Sequence, residues 1–192
     1  MRVLVEGNSI RSTVRIAGAA KNTVTKLLCD AGGVCAAYQD KALVNLSCRR
    51  IQVDEIWSFC YAKDRNVPKE HKGEFGYGDV WTWVAIDADT KLVPTWVIGN
   101  RGQEAARTMM LELSHRINNR IQLTTDGHGV YRNAVWDVFG FDVDYAQLAK
   151  IYGQLGPADK PQRFAPTGVI GYRKMAMQGE PDKKHISTSF VE

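Results

Sequence analysis

The sequence predicts an α/β fold, a mixed sheet with flanking helices preceded by a small all-α module. Three observations predict it. Apolar residues recur at helical spacing in the first quarter of the chain, change to a period of two at Ile51, and then alternate between strand-like and helix-like runs to about Tyr145. Charge divides at the same place: residues 1–50 hold eight Lys or Arg against three acids, a net +5, and the other 142 residues hold 17 basic and 18 acidic side chains, a net −1. A length of 192 residues, 44% hydrophobic and 24% charged, suits one medium domain with a core of its own plus a small module.

In the first module, Asn8 or Ser9 is placed to cap a helix carrying Ile10, Val14 and Ala17, and Gly18 to supply a turn. Asn22 or Thr23 opens a second helix with Val24, Leu27 and Leu28 inward. Gly32-Gly33 ends it, and residues 34–46 form another helix leading to a junction at Cys48-Arg49-Arg50. This is the spacing of a helix-turn-helix within residues 1–48. Its outward Lys21, Asn22, Thr25 and Lys26 are types that contact base edges and phosphates. A solvated helical surface explains the same charge, and that alternative stays open.

From residue 49 onward the elements read in order as strand Ile51–Tyr61, a long loop 62–79, strand Val80–Asp87, a turn at Asp87-Ala88-Asp89-Thr90, and strand Leu92–Ile98. Then come an amphipathic helix Gln103–Asn118 with Ala106, Met109, Met110 and Leu113 on its apolar face, strand Ile121–Thr125, helix Val130–Phe139 and a short strand near Phe141–Tyr145. Strand, strand, strand, helix, strand, helix, strand is the order of the ribonuclease H-like fold. Residues 147–186, punctuated by Pro and Gly, show no assignable pattern. The five tryptophans fall in apolar runs and read as core.

In that strand order the first and fourth strands are neighbours at the sheet centre, with Asp54 in the first and Asp126 at the end of the other. An acid within a strand loses solvation unless a cation is beside it. Alternation puts Gln52, Asp54 and Ile56 on one face and Val53, Glu55 and Trp57 on the other, so Glu55 is expected to point away from Asp54. Glu192 follows Ser189 at capping-box spacing, which would start a helix and bring a third carboxylate to the pair. Carboxylates with open positions suit Mg²⁺ or Mn²⁺, and two such ions about 3.5–4 Å apart serve both hydrolysis and strand transfer of a phosphodiester. Each acid has a structural alternative: Asp54 paired with Arg49 or Lys63, Asp126 as a turn former before Gly127, Glu192 as only a capping partner. His128 reads as the cap of the helix that follows, and Asp87 and Asp89 as turn residues.

Other classes are excluded or set aside. No apolar run approaches the length that crosses a bilayer, and Met1-Arg2-Val3-Leu4-Val5-Glu6 is too short and too soon charged for a secretory signal. Cys29, Cys35, Cys48 and Cys60 form no Cys-x-x-Cys pair, so neither a zinc ribbon nor a disulfide framework is indicated. A reducing cytoplasm is the simplest setting.

The chain resembles bacterial insertion-sequence transposases of the DDE type, close to the insertion-sequence-one group. The resemblance spans residues 8–192 and is carried by Ser9-Ile10-Arg11-Ser12-Thr13 with Lys21-Asn22-Thr23-Val24, by Gln52-Val53-Asp54-Glu55-Ile56-Trp57, and by Trp81-Thr82-Trp83-Val84-Ala85-Ile86-Asp87. Thr125-Asp126-Gly127, Asp144-Tyr145-Ala146-Gln147 and His185-Ile186-Ser187-Thr188-Ser189-Phe190-Val191-Glu192 complete it. It implies a helix-turn-helix, with Arg11, Lys21, Asn22, Thr25 and Lys26 on the DNA of transposon ends. It implies a catalytic domain over residues 49–192 in which Asp54, Asp126 and Glu192 hold two Mg²⁺ or Mn²⁺ ions and cleave and join DNA strands, and a homo-oligomer assembled on that DNA. Members continue past the glutamate with a helix, so a form truncated at Glu192 is expected to have weak or no activity alone. A non-catalytic DNA-binding product that represses transposition is the alternative reading, and a ribonuclease H-like nuclease outside transposition is a third.

Overall fold

The computed structural model describes residues 1–154 and 167–191. The chain divides into two compact units, Met1–Val44 and Asn45–Glu192. No described helix is long and apolar enough to cross a membrane.

The first unit holds α1 (Arg2–Val5), α2 (Ile10–Ala17) and α3 (Lys21–Ala42). Ser9 caps α2 by accepting the Ser12 N–H at 3.1 Å, and Gly18 ends it with φ 63°, a left-handed conformation that glycine takes without a Cβ penalty. Thr13 and Val24 are the buried residues between α2 and α3.

Three expectations are corrected here. α3 begins at Lys21 with Ala20 at its cap position and no side-chain cap, not at Asn22 or Thr23. It then runs unbroken through Gly32-Gly33 to Ala42. A glycine costs a helix interior about 1 kcal/mol relative to alanine, but it stops a helix only where the chain must turn left-handed, and neither glycine has a positive φ. Leu27 and Leu28 are exposed rather than inward, since α3 is covered by the rest of its unit only near Val24. A Cβ added at Gly32 or Gly33 meets nothing within 4 Å. Gly32→Ala and Gly33→Ala are therefore each expected to stabilise the first unit by about 0.5–1 kcal/mol, read as slower amide exchange along α3. Faster exchange there would mean that the helix needs the glycines.

The second unit is built on a six-stranded mixed sheet in the order β3-β2-β1-β4-β5-β6. Its strands are β1 (Arg50–Cys60), β2 (Gly78–Asp87), β3 (Thr95–Gly99), β4 (Ile121–Asp126), β5 (Val143–Gln154) and β6 (Thr167–Gln178). β1 pairs antiparallel with β2 over Ile51–Cys60 and parallel with β4 over Arg50–Val53 only. Helices α4 (Gln103–Arg116) and α5 (Val130–Phe139) cover one face. The order agrees with the ribonuclease H-like arrangement expected.

Alternation decides what each face holds. Ile51, Val53, Trp83, Ala85, Ile121, Leu123, Val143 and Tyr145 meet Met109, Met110 and Leu113 of α4 and Tyr131, Ala134 and Val135 of α5 in one core. On the opposite face Ala146 and Leu148 pack with Ile186 from the C-terminal segment. That segment reaches β1, where the Phe190 N–H donates to Gln52 Oε1 at 2.9 Å.

Residues 45–48 belong to this unit. The Leu46 N–H donates to the Arg116 carbonyl at 2.8 Å, and Cys48 is buried, its thiol pushed up to about 11 by burial and then by Asp87 and Asp89. Asp87 and Asp89 form the turn before β3: Asp87 accepts from the Asp89 N–H at 3.1 Å and from Thr90 Oγ1 at 2.7 Å, and Asp89 pairs with Arg50. β5 is far longer than the short strand expected, and β6 lies in the stretch that showed no pattern. Beyond Leu148 the two strands leave many side chains exposed on both sides, among them Ile151, Tyr152, Ile170 and Tyr172, so no apolar alternation marks them.

Candidate functional site

β4 leaves β1 at one point, and three carboxylates gather there. Pairing of the two central strands ends at Val53 opposite Thr125, so the next step of the register would face Asp54 with Asp126. Carboxylate oxygens of Asp54, Glu55 and Asp126 lie within 4.8 Å of one another. Asp54 and Asp126 are thus brought together. Glu192, the third acid expected, lies outside the described residues.

Glu55 joins the pair against the expectation from alternation. By alternation it projects from the opposite side of β1, but the pairing of β1 with β4 ends at Val53, and among the described residues no other strand pairs with that edge of β1 beyond it. Asp54 is drawn toward it by accepting the Glu55 N–H at 2.8 Å. The Glu55 side chain is 0% exposed, and its Oε2 accepts from Arg101 Nε at 3.0 Å. Among the described residues its buried Oε1 makes no hydrogen bond of ordinary geometry, nor does the buried hydroxyl of Tyr131, whose interaction is with Glu55. The Tyr131 pKa is raised well above its usual value, first by burial and then by the charge of Glu55.

Asp126 is also the turn former that its Gly127 neighbour suggested, since its Oδ1 accepts the His128 N–H at 2.9 Å. Its Oδ2 lies 3.4 Å from Arg101. The position of His128 corrects another expectation. Gly129 occupies the cap of α5 without a side-chain bond, and the His128 ring instead approaches the Arg101 carbonyl at 3.3 Å. Arg101, on the loop between β3 and α4, is the cation of the cluster and stacks over Trp81 at 4.6 Å. Neither Arg49 nor Lys63 is the partner of Asp54. Lys63 lies over Trp57, and the charge of Lys150 weakly opposes the upward shift of Asp54.

Burial, opposed by the Glu55 N–H and reinforced by Asp126 and Glu55, pushes Asp54 up to about 6. A carboxyl whose folded pKa is above its unfolded one costs stability as it ionises. Here the cost is absent below the ordinary 3.8 and complete above about 6. A cation at the site removes it. The donor set fits a hard divalent ion: three carboxylates, one oxygen of them without a hydrogen bond of ordinary geometry, and no thiolate among them. Such an ion would act as a Lewis acid toward a phosphodiester and toward an attacking oxygen. Mg²⁺ or Mn²⁺ is expected to raise the melting temperature at neutral pH, and the gain is expected to fade as pH falls through about 6, because Asp54 must lose its proton to bind. A gain that is equal at about pH 5 and pH 7.5 would remove Asp54 from the ligand set.

No protein-family model matches the chain, and no curated protein matches it. Among solved structures it is similar to a piggyBac transposase, seen by cryo-EM in a synaptic complex with hairpin DNA, at a TM-score of 0.38 and 13% identity over 86% of this chain. It spans 33% of that transposase. It is also similar to an endonuclease V of Bacillus subtilis, at a TM-score of 0.30 and 15% identity over 84% of this chain and 79% of that one. Neither likeness is close enough to carry a statement about this chain.

The residues expected on DNA sit in the first unit. Arg11 is exposed on α2, Lys21, Asn22 and Lys26 are exposed on α3, and Thr25 is half-buried. Two of them are already engaged: Thr25 Oγ1 donates to the Lys21 carbonyl at 3.1 Å, and Lys26 pairs with Asp30 one turn on.

Glu55, Arg101 and Tyr131 are the site residues that pattern reasoning missed. Glu55 had one usable signal, its adjacency to Asp54 near the point where the parallel neighbour ends. Arg101 and Tyr131 had none, because a loop and a helix distant in sequence deliver them.

Proposed function

We propose that the chain is a DDE-type transposase of the insertion-sequence-one-like group, cleaving and joining DNA strands with Mg²⁺ or Mn²⁺ held by Asp54, Glu55 and Asp126. The observation that carries this reading is the meeting of three carboxylates where the two central strands part. The strand order and the motifs running from Ser9 to Glu192 support it. In this reading the helical unit Met1–Val44 is a helix-turn-helix that binds the terminal repeats, Asn45–Glu192 is the catalytic domain, and the protein assembles as a homo-oligomer on paired ends in the bacterial cytoplasm. The expectation of weak activity rested on Glu192 as the third ligand. With Glu55 in the cluster a third carboxylate is present without it.

The test is nicking of duplex DNA carrying the element's inverted repeats, with and without Mg²⁺. Nicking that needs the ion, prefers the repeats and is lost in Asp54→Asn supports the reading. Glu55→Gln set beside Glu192→Gln identifies the third ligand. Cleavage that needs no ion, or that survives Asp54→Asn, overturns it.

One observation favours a second reading. Arg101 already pairs with Glu55 and Asp126, so the cluster can be a structural ion-pair network in a DNA-binding protein that represses transposition without cutting. That reading expects repeat binding that survives loss of both aspartates and weakens in Lys21→Ala.

A further inference from the structure

The β1–β2 hairpin continues past the carboxylate cluster as an overhang. β1 pairs with β2 through Cys60 opposite Gly78, whereas pairing of β1 with β4 ends at Val53 and pairing of β2 with β3 ends at Trp81. On the face that carries Glu55, the register sets Trp57 opposite Trp81, and Phe59 follows. Trp81 is half-buried against the core, but Trp57 and Phe59 are not core, which corrects the expectation for Trp57: it is 39% exposed and Phe59 48%, their centroids 5.6 Å apart. Two cations lie against the row, with Lys63 Nζ 4.8 Å from the Trp57 ring and Arg101 4.6 Å from Trp81. Nearby Asp79 is engaged with the loop, accepting the Asp64 N–H at 3.1 Å.

Exposed rings in a row, flanked by cations and ending at a carboxylate cluster, match an unpaired nucleic-acid strand. Such a strand offers flat bases to the rings and phosphates to the cations. Bases inside a duplex have no free face to stack. We propose that the overhang is a track for an unpaired DNA strand, its bases stacked on Trp57 and Phe59 and its phosphates met by Lys63 and Arg101, leading to or from Asp54, Glu55 and Asp126. Its role as a substrate track rests on the reading of those carboxylates as the cleavage site.

The experiment measures binding of fluorescent oligothymidylate to the 192-residue protein in EDTA, by anisotropy, so that cleavage does not enter. Trp57→Ala is expected to weaken binding about 5- to 100-fold and Trp57→Phe to restore most of it. Lys63→Ala is expected to weaken it with a shallower salt dependence, and this variant leaves the rings in place if Trp57→Ala unfolds. Oligothymidylate binding that is unchanged in Trp57→Ala and Lys63→Ala overturns the proposal. So does a Trp57→Ala protein that binds the strand normally but changes its oligomeric state by sedimentation, which would make the overhang a protein contact. Tighter binding of oligouridylate would overturn the assignment to DNA. Ion-dependent nicking with Trp57-independent strand binding removes this proposal alone. Trp57-dependent strand binding without any nicking removes only the reading of the site as a nuclease.

Discussion

Asp54→Asn is expected to lower Mg²⁺-dependent nicking at least about 100-fold, the scale of losing one preorganised charge at a reacting centre, and at the same time to stabilise the metal-free protein at neutral pH. The two effects have opposite signs for one reason. Asp54 is held where its charge is costly, since burial and the neighbouring Asp126 and Glu55 push its carboxyl up to about 6. Asparagine keeps an oxygen for the Glu55 N–H and removes the charge. The gain is absent below the ordinary 3.8, grows between there and about 6, and is full above that. Denaturant unfolding in EDTA at about pH 5 and pH 7.5, beside a nicking assay, reads both. A structural acid would behave otherwise, its loss costing stability with no separate effect on an ion-dependent reaction. Loss of stability at neutral pH in Asp54→Asn would place Asp54 in the ion-pair network instead.

Trp83→Ala is expected to destabilise the second unit by about 3–5 kcal/mol, a large part of the total stability of a domain of this size. Trp83 is fully buried between β2 and α5 and meets Tyr131 edge-on with centroids 5.4 Å apart. Its indole N–H also donates to the Asn100 carbonyl at 3.0 Å. That bond anchors the loop bearing Arg101, so the substitution empties a core position and releases the cation of the acidic cluster together. Trp83→Phe keeps most of the volume and loses the bond, and a cost of about 1–2 kcal/mol is expected for it. Equal costs for the two variants in urea unfolding would show that the bond, not the packing, carries the effect.

Met109, Met110 and Leu113 announced α4 because a helix with one covered face repeats its apolar residues every three or four positions. Val53 and Ile51 announced β1 because they alternate with less apolar neighbours. Gly32-Gly33 misled, since the same residue ends a helix or merely weakens it according to a backbone angle that composition does not specify. β6 was silent because its exposed flanks give no periodic contrast. Trp57 read as core because an apolar run looks the same whether or not a neighbouring strand covers it.

The sequence by itself determined the elements from β1 to α5 and their order, the charge division near residue 50 and two of the three clustered carboxylates. These are local properties, written in spacing and side-chain type. Only the tertiary structure decided that Glu55 joins Asp54 and Asp126, that Arg101 and Tyr131 attend them, and that Trp57 and Phe59 stand exposed. All three depend on where β4 stops pairing with β1. The end of a ladder is set by how two segments about 70 residues apart in sequence pack, a property that neither segment carries alone.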